Sequence, residues 1–317
     1  MERSVVVIGN FDGVHPGHQA VLAEALRREP GLPLIVVTFW PHPVSVLRPD
    51  VGPMLLTSLE ERVERLTGAA ATRVEVIPFT HDFASWPPER FVEEILVPLN
   101  PARVVVGANF RFGHHAAGTV ATLQELAGDR FIVDSLPLVR FGDEETCSSR
   151  IRLALACGDV GHAMEHLGRP FAFRGVVTRG DQRGRALGFP TANLPVPPKL
   201  ACPSDGVYAG WLIRRDHRGP RGEPLPAGTR QTPLPAAISV GTNPTFDGVA
   251  RRVESYVLDR DDLELYDVPV SVEFIHYVRG QIRFDSVDDL VKTMRDDVDR
   301  IRRILTGGSS PADPAGG

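Results

Sequence analysis

The chain has 317 residues, 42% of them apolar and 24% charged, and carries a net charge of −5. That length suits two domains better than one core, and the mild negative charge gives no general attraction to nucleic acid or anionic membranes, so small molecules are the expected partners. No apolar stretch reaches the roughly 20 residues that cross a bilayer. Cys147, Cys157 and Cys202 have neither disulfide-framework nor zinc spacing, and the first residues lack the pattern of a signal peptide, so a cytoplasmic location is expected. Composition leaves the oligomeric state open.

Residues 5–8, 34–39, 73–77, 103–107 and 131–133 are short apolar runs and read as strands. Between them, Leu59, Val63, Leu66 and Ala70 recur at helical spacing behind Thr57 and Glu60, placed as a capping box. Phe91, Ile95 and Leu99 repeat that spacing after Pro87 and Pro88, which favour a helix start. Strands buried on both faces and separated by helices predict a parallel, doubly wound sheet, whose ligands sit beyond the carboxyl ends of the strands. A helical connection is expected over residues 159–167.

From about Arg169 the pattern changes to short strands with turn residues, over 171–178, 207–214, 236–240, 253–258 and 268–275, which predicts a small antiparallel barrel or sandwich. One helix closes this part. Val287, Leu290, Met294, Val298, Ile301 and Leu305 share a stripe, with Ser286 and Asp289 spaced as a capping box. Residues 214–235, rich in Pro, Gly and Arg, read as a surface loop, and 307–317 as a disordered tail. The expected fold is thus α/β followed by β, divided at 1–166 and 167–306.

Two loops carry chemistry. The first, Gly9-Asn10-Phe11-Asp12-Gly13-Val14-His15-Pro16-Gly17-His18, takes a strand into a helix starting near Pro16. Free backbone amides and the positive end of the helix dipole then face the space above the strands, a natural place for a phosphate. His15 and His18 lie three residues apart, so both imidazoles can point at one group and donate hydrogen bonds to oxygens that gain charge as a phosphoryl bond breaks. The alternatives are plain helix-start residues, or a metal site for which no third ligand is placed nearby.

The second loop runs Arg174-Gly175-Val176-Val177-Thr178-Arg179-Gly180-Asp181-Gln182-Arg183-Gly184-Arg185, with Gly188 beyond it. Its glycines permit tight turns and close approach of backbone amides to a polyphosphate, although a plain surface hairpin reads equally well. The lysine of a Walker loop is absent. Pro190-Thr191-Ala192-Asn193 follows, with hard oxygen donors. Further on, alternation over 253–258 puts Glu254 on the face of Tyr256 and Leu258. Partial desolvation there raises a carboxylate's proton affinity and suits it to accept a proton from a hydroxyl; the alternative is a solvent-facing strand glutamate.

The first segment resembles the nucleotidyltransferase signature, in which two histidines flank a residue and a glycine. Together with the later segments, the chain resembles the prokaryotic bifunctional riboflavin kinase/FAD synthetase family over about residues 5–305. The resemblance implies a Rossmann-like adenylyltransferase domain with a parallel sheet and a small antiparallel β-barrel kinase domain with a terminal helix. It implies riboflavin phosphorylation to FMN and adenylylation of FMN to FAD, with ATP as co-substrate and Mg2+ serving both. By the same resemblance His15 and His18 contact the ATP phosphates, while Gly9, Phe11, Asp12 and Gly13 shape the pocket. Thr38-Phe39-Trp40-Pro41-His42-Pro43 and Gly107-Ala108-Asn109-Phe110-Arg111-Phe112-Gly113 also match family segments, the latter placing Asn109 and Arg111 along the flavin and nucleotide cleft.

Cys147-Ser148-Ser149-Arg150-Ile151-Arg152 is similar to the family's serine, serine, threonine, variable, aliphatic, arginine run, with cysteine replacing the first serine and serine the threonine. Ser148, Ser149 and Arg152 keep hydroxyls and a cation for a phosphate; helix capping is the alternative for either serine. In the kinase part the resemblance implies Mg2+ and phosphate binding by Thr191 and Asn193, a loop built on Gly180 and Gly184, and Glu254 as general base. Asp205-Gly206-Val207-Tyr208 and Gly241-Thr242-Asn243-Pro244-Thr245-Phe246 match as well, Arg279 is a flavin-side or phosphate contact, and Tyr266-Asp267 stands where the family usually has glycine after the tyrosine. The competing readings are a kinase with weakened adenylyl transfer, because of Cys147 and Ser149, and a flavin-binding regulator. A pure binder has no need for His15, His18, Thr191, Asn193 and Glu254 together.

Overall fold

The computed structural model describes residues 2–137, 140–141, 144–180, 184, 187–219, 222–226, 229, 231–245 and 248–307. The chain divides into two compact units, Met1–Arg150 with Lys199–Ala201, and Ile151–Pro198 with Cys202–Gly317.

In the first unit, β1 (Ser4–Ile8), α1 (Pro16–Arg28), β2 (Leu34–Trp40), α2 (Pro43–Leu47), α3 (Leu59–Gly68) and β3 (Arg73–Pro78) come first. They are followed by α4 (His81–Ala84), α5 (Pro88–Phe91), β4 (Pro101–Gly107), α6 (Val120–Ala127) and β5 (Ile132–Leu136). A short pairing of β6 (Arg140–Phe141) with β7 (Glu144–Glu145) leads to α7 (Ser148–Ala156), whose later turns belong to the second unit. The sheet order is β3-β2-β1-β4-β5, every pair parallel. Chain order reverses between β1 and β4, so the loops leaving these strands flank the crevice where open α/β sheets bind ligands.

The continuous apolar runs serve both faces of this sheet. Val6, Ile8, Val37, Val104 and Val106 pack with Phe91, Leu96 and Leu123 on one side, and Val5, Val7, Val36 and Val105 with Leu22, Ala25 and Leu66 on the other. The helix expected through Leu99 is α only over α5. Residues Val92–Leu96 widen into a π turn and Val97–Leu99 tighten into a 3-10 turn, because Pro98 offers no amide and its ring crowds the carbonyl of Glu94.

The capping box at the start of α3 is shifted by one residue. Ser58 accepts from the Glu61 amide at 3.2 Å, while Thr57 is used elsewhere. The helix ends at Gly68, so Ala70 lies beyond it with φ +73°. Across the sheet, Asp134 joins Arg28 on α1 (2.7 Å) to Arg103 on β4. Burial alone would raise the Asp134 carboxyl, but the two guanidiniums outweigh it and hold it below its ordinary value.

The second unit contains α8 (Val160–Leu167), β8 (Phe171–Val176), β9 (Thr191–Pro195), β10 (Gly206–Arg214), β11 (Leu234–Thr245), β12 (Gly248–Val257), β13 (Pro269–Arg279) and α9 (Val287–Leu305). Its strands are antiparallel in the order β8-β13-β10-β11-β12-β9. The edges meet where the Thr178 amide donates to the Asn193 carbonyl at 2.8 Å, which closes the sheet into a small barrel. β9 was not among the expected strands.

Helix α9 lays Val298 and Ile301 against Val207, Ala209, Leu258 and Val278, and its cap is as expected, with Ser286 Oγ accepting from the Asp289 amide at 3.1 Å. Val287, at the start of the stripe, is 60% exposed. Between β10 and β11 the described residues form no further strand, only the isolated Arg218–Pro224 bridge. Asp267 holds φ +61° in the turn before β13, so this turn keeps the left-handed conformation that glycine favours. The expected tail lies outside the described residues apart from Gly307.

Candidate active sites

The first loop leaves β1 with an unusual backbone. Phe11 and Val14 take φ +51° and +42°, and Gly13 takes +87°. Left-handed backbone at a phenylalanine and a β-branched valine is strained and persists only where surrounding contacts enforce it. Those contacts converge on Asp12, which is 1% exposed. The Leu56 amide donates to both its carboxylate oxygens (3.0 and 3.1 Å), and the Thr57 amide and hydroxyl donate to Oδ1 (each 3.1 Å). Arg62 Nη2 completes a buried ion pair at 3.3 Å, with no exposure of the arginine side chain. The Gly13 amide donates to Thr57 Oγ1 at 3.3 Å, and Thr38 Oγ1 on β2 donates to the Asn10 carbonyl at 3.0 Å.

Held this way, the loop delivers His15 to the N-cap of α1 and His18 to its first turn. The imidazoles stack with centroids 3.6 Å apart, and the Phe11 ring meets His18 edge-on at 5.1 Å. Gly9 lies under the Phe11 ring and Gly17 against the His15 ring, each leaving a space that a side chain would fill. The sequence spacing thus does bring both histidines to one point at the sheet's reversal. Asp12, expected to shape a pocket, has its carboxylate turned into the protein as an anchor.

Ser148 at the start of α7 donates to the Asp12 carbonyl at 2.9 Å, which ties the third motif to the first loop. Ser149 is exposed, and Arg152 lies one helical turn beyond Ser148 on the same helix face. Asn109 and Arg111 are exposed just past the carboxyl end of β4. Sequence reading missed Arg62. On α3 it sits in a charged stretch that looks solvated, and only tertiary contact with Asp12 reveals its burial.

The second cluster is written into strand register. Asn193 on β9 stands opposite Glu254 on β12, and Glu254 opposite Ser239 on β11; one step along, Thr191 stands opposite Tyr256. Directly opposed residues share a face with Cβ atoms about 5 Å apart. Glu254 is half-buried, while its neighbour Ser255 faces the barrel core at 1% exposure. Burial pushes the Tyr256 phenol up, and the ring meets Phe189 edge-on at 5.2 Å. Gln281 Nε2 reaches over to donate to Ser239 Oγ at 3.1 Å and to the Val240 carbonyl at 2.8 Å, a contact with no local signal in the sequence.

Asn193 Nδ2 donates to the Thr191 carbonyl (3.1 Å) and hydroxyl (3.3 Å), which turns the amide oxygen the other way. Gly180 lies so close that a Cβ would sit 2.6 Å from the Asn193 side chain, and one on Gly184 would meet the Phe189 carbonyl at 2.5 Å. The close approaches made by these glycines are therefore to neighbouring protein groups. Asp181, Gln182, Arg183, Arg185 and Phe246 lie outside the described residues. Arg279, expected beside the flavin or a phosphate, has its guanidinium on Asp297 of α9 (2.6 and 3.0 Å), where it fastens that helix to the barrel. Burial pushes the Cys202 thiol up to about 12, which makes it an inert core residue.

Comparison with known proteins agrees with this division. Residues 1–150 match the FAD synthetase family model and residues 167–305 the riboflavin kinase model. A bifunctional riboflavin kinase/FMN adenylyltransferase of Bacillus subtilis is 31% identical over 93% of this chain and 90% of its own length. The chain belongs to the bifunctional riboflavin kinase/FMN adenylyltransferase family. Its Escherichia coli relative of the same name is 34% identical over 91% of this chain and 88% of that protein. Among solved structures, one described as a macrolide-efflux protein from Streptococcus pneumoniae superposes with a TM-score of 0.82 at 31% identity, covering 95% of this chain and 94% of that one. That description is of the other protein; among the described residues here, no helix is long and apolar enough to cross a membrane. This family member is a riboflavin kinase and an FMN adenylyltransferase.

Proposed function

We propose that the two activities are divided between the two sheets, with functional domains at 1–166 and 167–306. Adenylyl transfer occurs at the His15 and His18 pair and riboflavin phosphorylation at the Asn193 and Glu254 row. The observation that carries this reading is the stacked imidazole pair at 3.6 Å, on a loop locked at the reversal point of the parallel sheet.

In adenylyl transfer an FMN phosphate oxygen attacks the α-phosphorus of ATP. A new P–O bond forms, the bond to the β-phosphate bridge breaks, and pyrophosphate leaves. The nucleophile is already anionic, so no general base is required. The protein brings two anions into line and supplies donors for the charge that develops, and His15 and His18 are those donors. Ser149, Arg152, Asn109 and Arg111 complete the nucleotide and flavin contacts. The Ser148 bond to the Asp12 carbonyl supports an intact third motif despite Cys147.

In phosphorylation a ribityl hydroxyl attacks the γ-phosphorus of ATP, and Glu254 takes its proton. Half-burial of Glu254 on a face partly covered by Phe189 and α9 supports that role. The oxygens of Thr191, Asn193 and Glu254 are donors of the hard type that Mg2+ prefers. Thr191 and Asn193 would hold the ion together with substrate phosphates, where it supplies neutralising charge. Three free cysteines fit the reducing cytoplasm as the compartment.

The test is incubation of wild type and His18→Ala with riboflavin, ATP and Mg2+, followed by separation of FMN and FAD. The variant is expected to stop at FMN; undiminished FAD formation would remove the histidines from the reaction.

A further inference from the structure

The Asp12 anchor is more elaborate than a turn between a strand and a helix requires. A fully buried guanidinium, that of Arg62, lies 3.3 Å from a carboxylate that is itself 1% exposed. Taking both charges out of water is costly, and such pairs rarely add net stability over apolar replacements. The cluster also does geometric work. Arg62 Nη1 donates at 3.5 Å to the Phe39 carbonyl at the end of β2, and its guanidinium stands 5.4 Å from the centre of the Trp40 ring. One side chain therefore ties α3 and the end of β2 to the loop that carries the histidines. Thr57 adds a relay, with its hydroxyl donating to Asp12 Oδ1 and accepting from the Gly13 amide. Phe11, Gly13 and Val14, which flank the fastened Asp12, are the loop residues with positive φ.

We infer that Thr57 and Arg62 are positioning residues for adenylyl transfer: acting through Asp12, they hold the histidine-bearing loop in its strained shape and so fix the stacking of His15 on His18. Neither touches the reacting atoms. The inference rests on the proposed role of the histidine pair. It adds that this role depends on residues far along the sequence, in a segment that composition alone marks as an ordinary helix start.

The decisive variants are Thr57→Val, which removes one hydroxyl and leaves no charge unpaired, and Arg62→Lys and Arg62→Met, measured in the full chain. For Thr57→Val the kcat for FAD formation is expected to fall at least about tenfold, with KM for ATP and FMN within about threefold and the protein fully folded at the assay temperature. Riboflavin phosphorylation in the same preparation should stay within about twofold of wild type, an internal check that the chain is folded. Arg62→Met should lose more than Thr57→Val, with Arg62→Lys between wild type and Arg62→Met. In proton NMR the ring signals of His15 and His18 should shift in Thr57→Val, because the rings no longer stack as before; a merely stabilising contact would leave them in place.

A wild-type kcat and unshifted histidine signals in Thr57→Val would overturn the inference, even if Arg62→Met fails to fold. Parallel loss of both activities in all three variants would also overturn it, since that is general destabilisation. His18→Ala run alongside separates the two layers. If it loses FAD synthesis while Thr57→Val does not, only the positioning inference fails; if it retains FAD synthesis, the histidine assignment fails first.

Discussion

In the N-terminal unit the candidate groups ride on a loop whose shape is imposed from outside by Asp12, Thr57 and Arg62. In the C-terminal unit they sit at fixed positions of an antiparallel ladder, where pairing sets Asn193 beside Glu254 and Glu254 beside Ser239. Both arrangements gather the polar groups proposed to meet a nucleotide, but their precision has different sources. Loop geometry must be stabilised by tertiary contacts that can be removed one at a time, whereas strand register fails only if a whole strand slips. Damage remote from the chemistry should therefore harm adenylyl transfer more readily than phosphorylation.

The sharpest contrast comes from the proposed catalytic groups. Glu254→Gln should lower riboflavin phosphorylation by about 10²–10⁴, the range for general-base loss, while adenylylation of supplied FMN is unaffected. Phosphorylation persisting near the wild-type rate would return Glu254 to a ladder residue. His18→Ala should lower FAD formation by about 10²–10³, as for loss of a donor to a developing charge, and leave FMN formation alone. Steady-state assays of each half-reaction read both.

A smaller effect probes the ladder itself. A Cβ on Gly180 would sit 2.6 Å from the Asn193 side chain, so Gly180→Ala should displace the amide and cost about tenfold in phosphorylation, about 1.4 kcal/mol. Unchanged kinetics in that variant would show that Asn193 tolerates displacement. The smallest effect concerns the scaffold of the first unit. Because the folded Asp134 carboxyl is held below its ordinary value, its contribution is present above the unfolded carboxylate value near 4 and fades as pH falls through the folded one. Asp134→Asn should cost about 1 kcal/mol at neutral pH and flatten the loss of stability on acidification below about pH 5. Denaturant titrations across that range measure it, and parallel curves for the two proteins would contradict it.

Much of this was legible in the sequence, for identifiable reasons. The five parallel strands announce themselves as continuous valine-rich runs because both faces are buried, and α9 shows its stripe because only one face is. The spacing of His15 and His18 survives folding, since a helix start fixes both residues within one turn. What stayed hidden depends on long-range contact. β9 reads as a motif loop, because Thr191 and Asn193 become strand residues only through pairing with β12. Thr57 reads as a cap, but Ser58 takes that place and frees the Thr57 hydroxyl for Asp12. Arg62 carries no local mark of burial, and Arg279 none of its commitment to Asp297.

The central claim is that two separate sites on one chain perform successive reactions, and complementation tests it most directly. Purified His18→Ala and Glu254→Gln are each given riboflavin, ATP and Mg2+, singly and mixed, and FAD is quantified. Each variant alone should make FAD from riboflavin at least about a hundredfold more slowly than wild type, while the mixture should make it far faster, as FMN released by the first is adenylylated by the second. FAD production near the wild-type rate by either variant alone, or a mixture no faster than its parts, would contradict two independent sites.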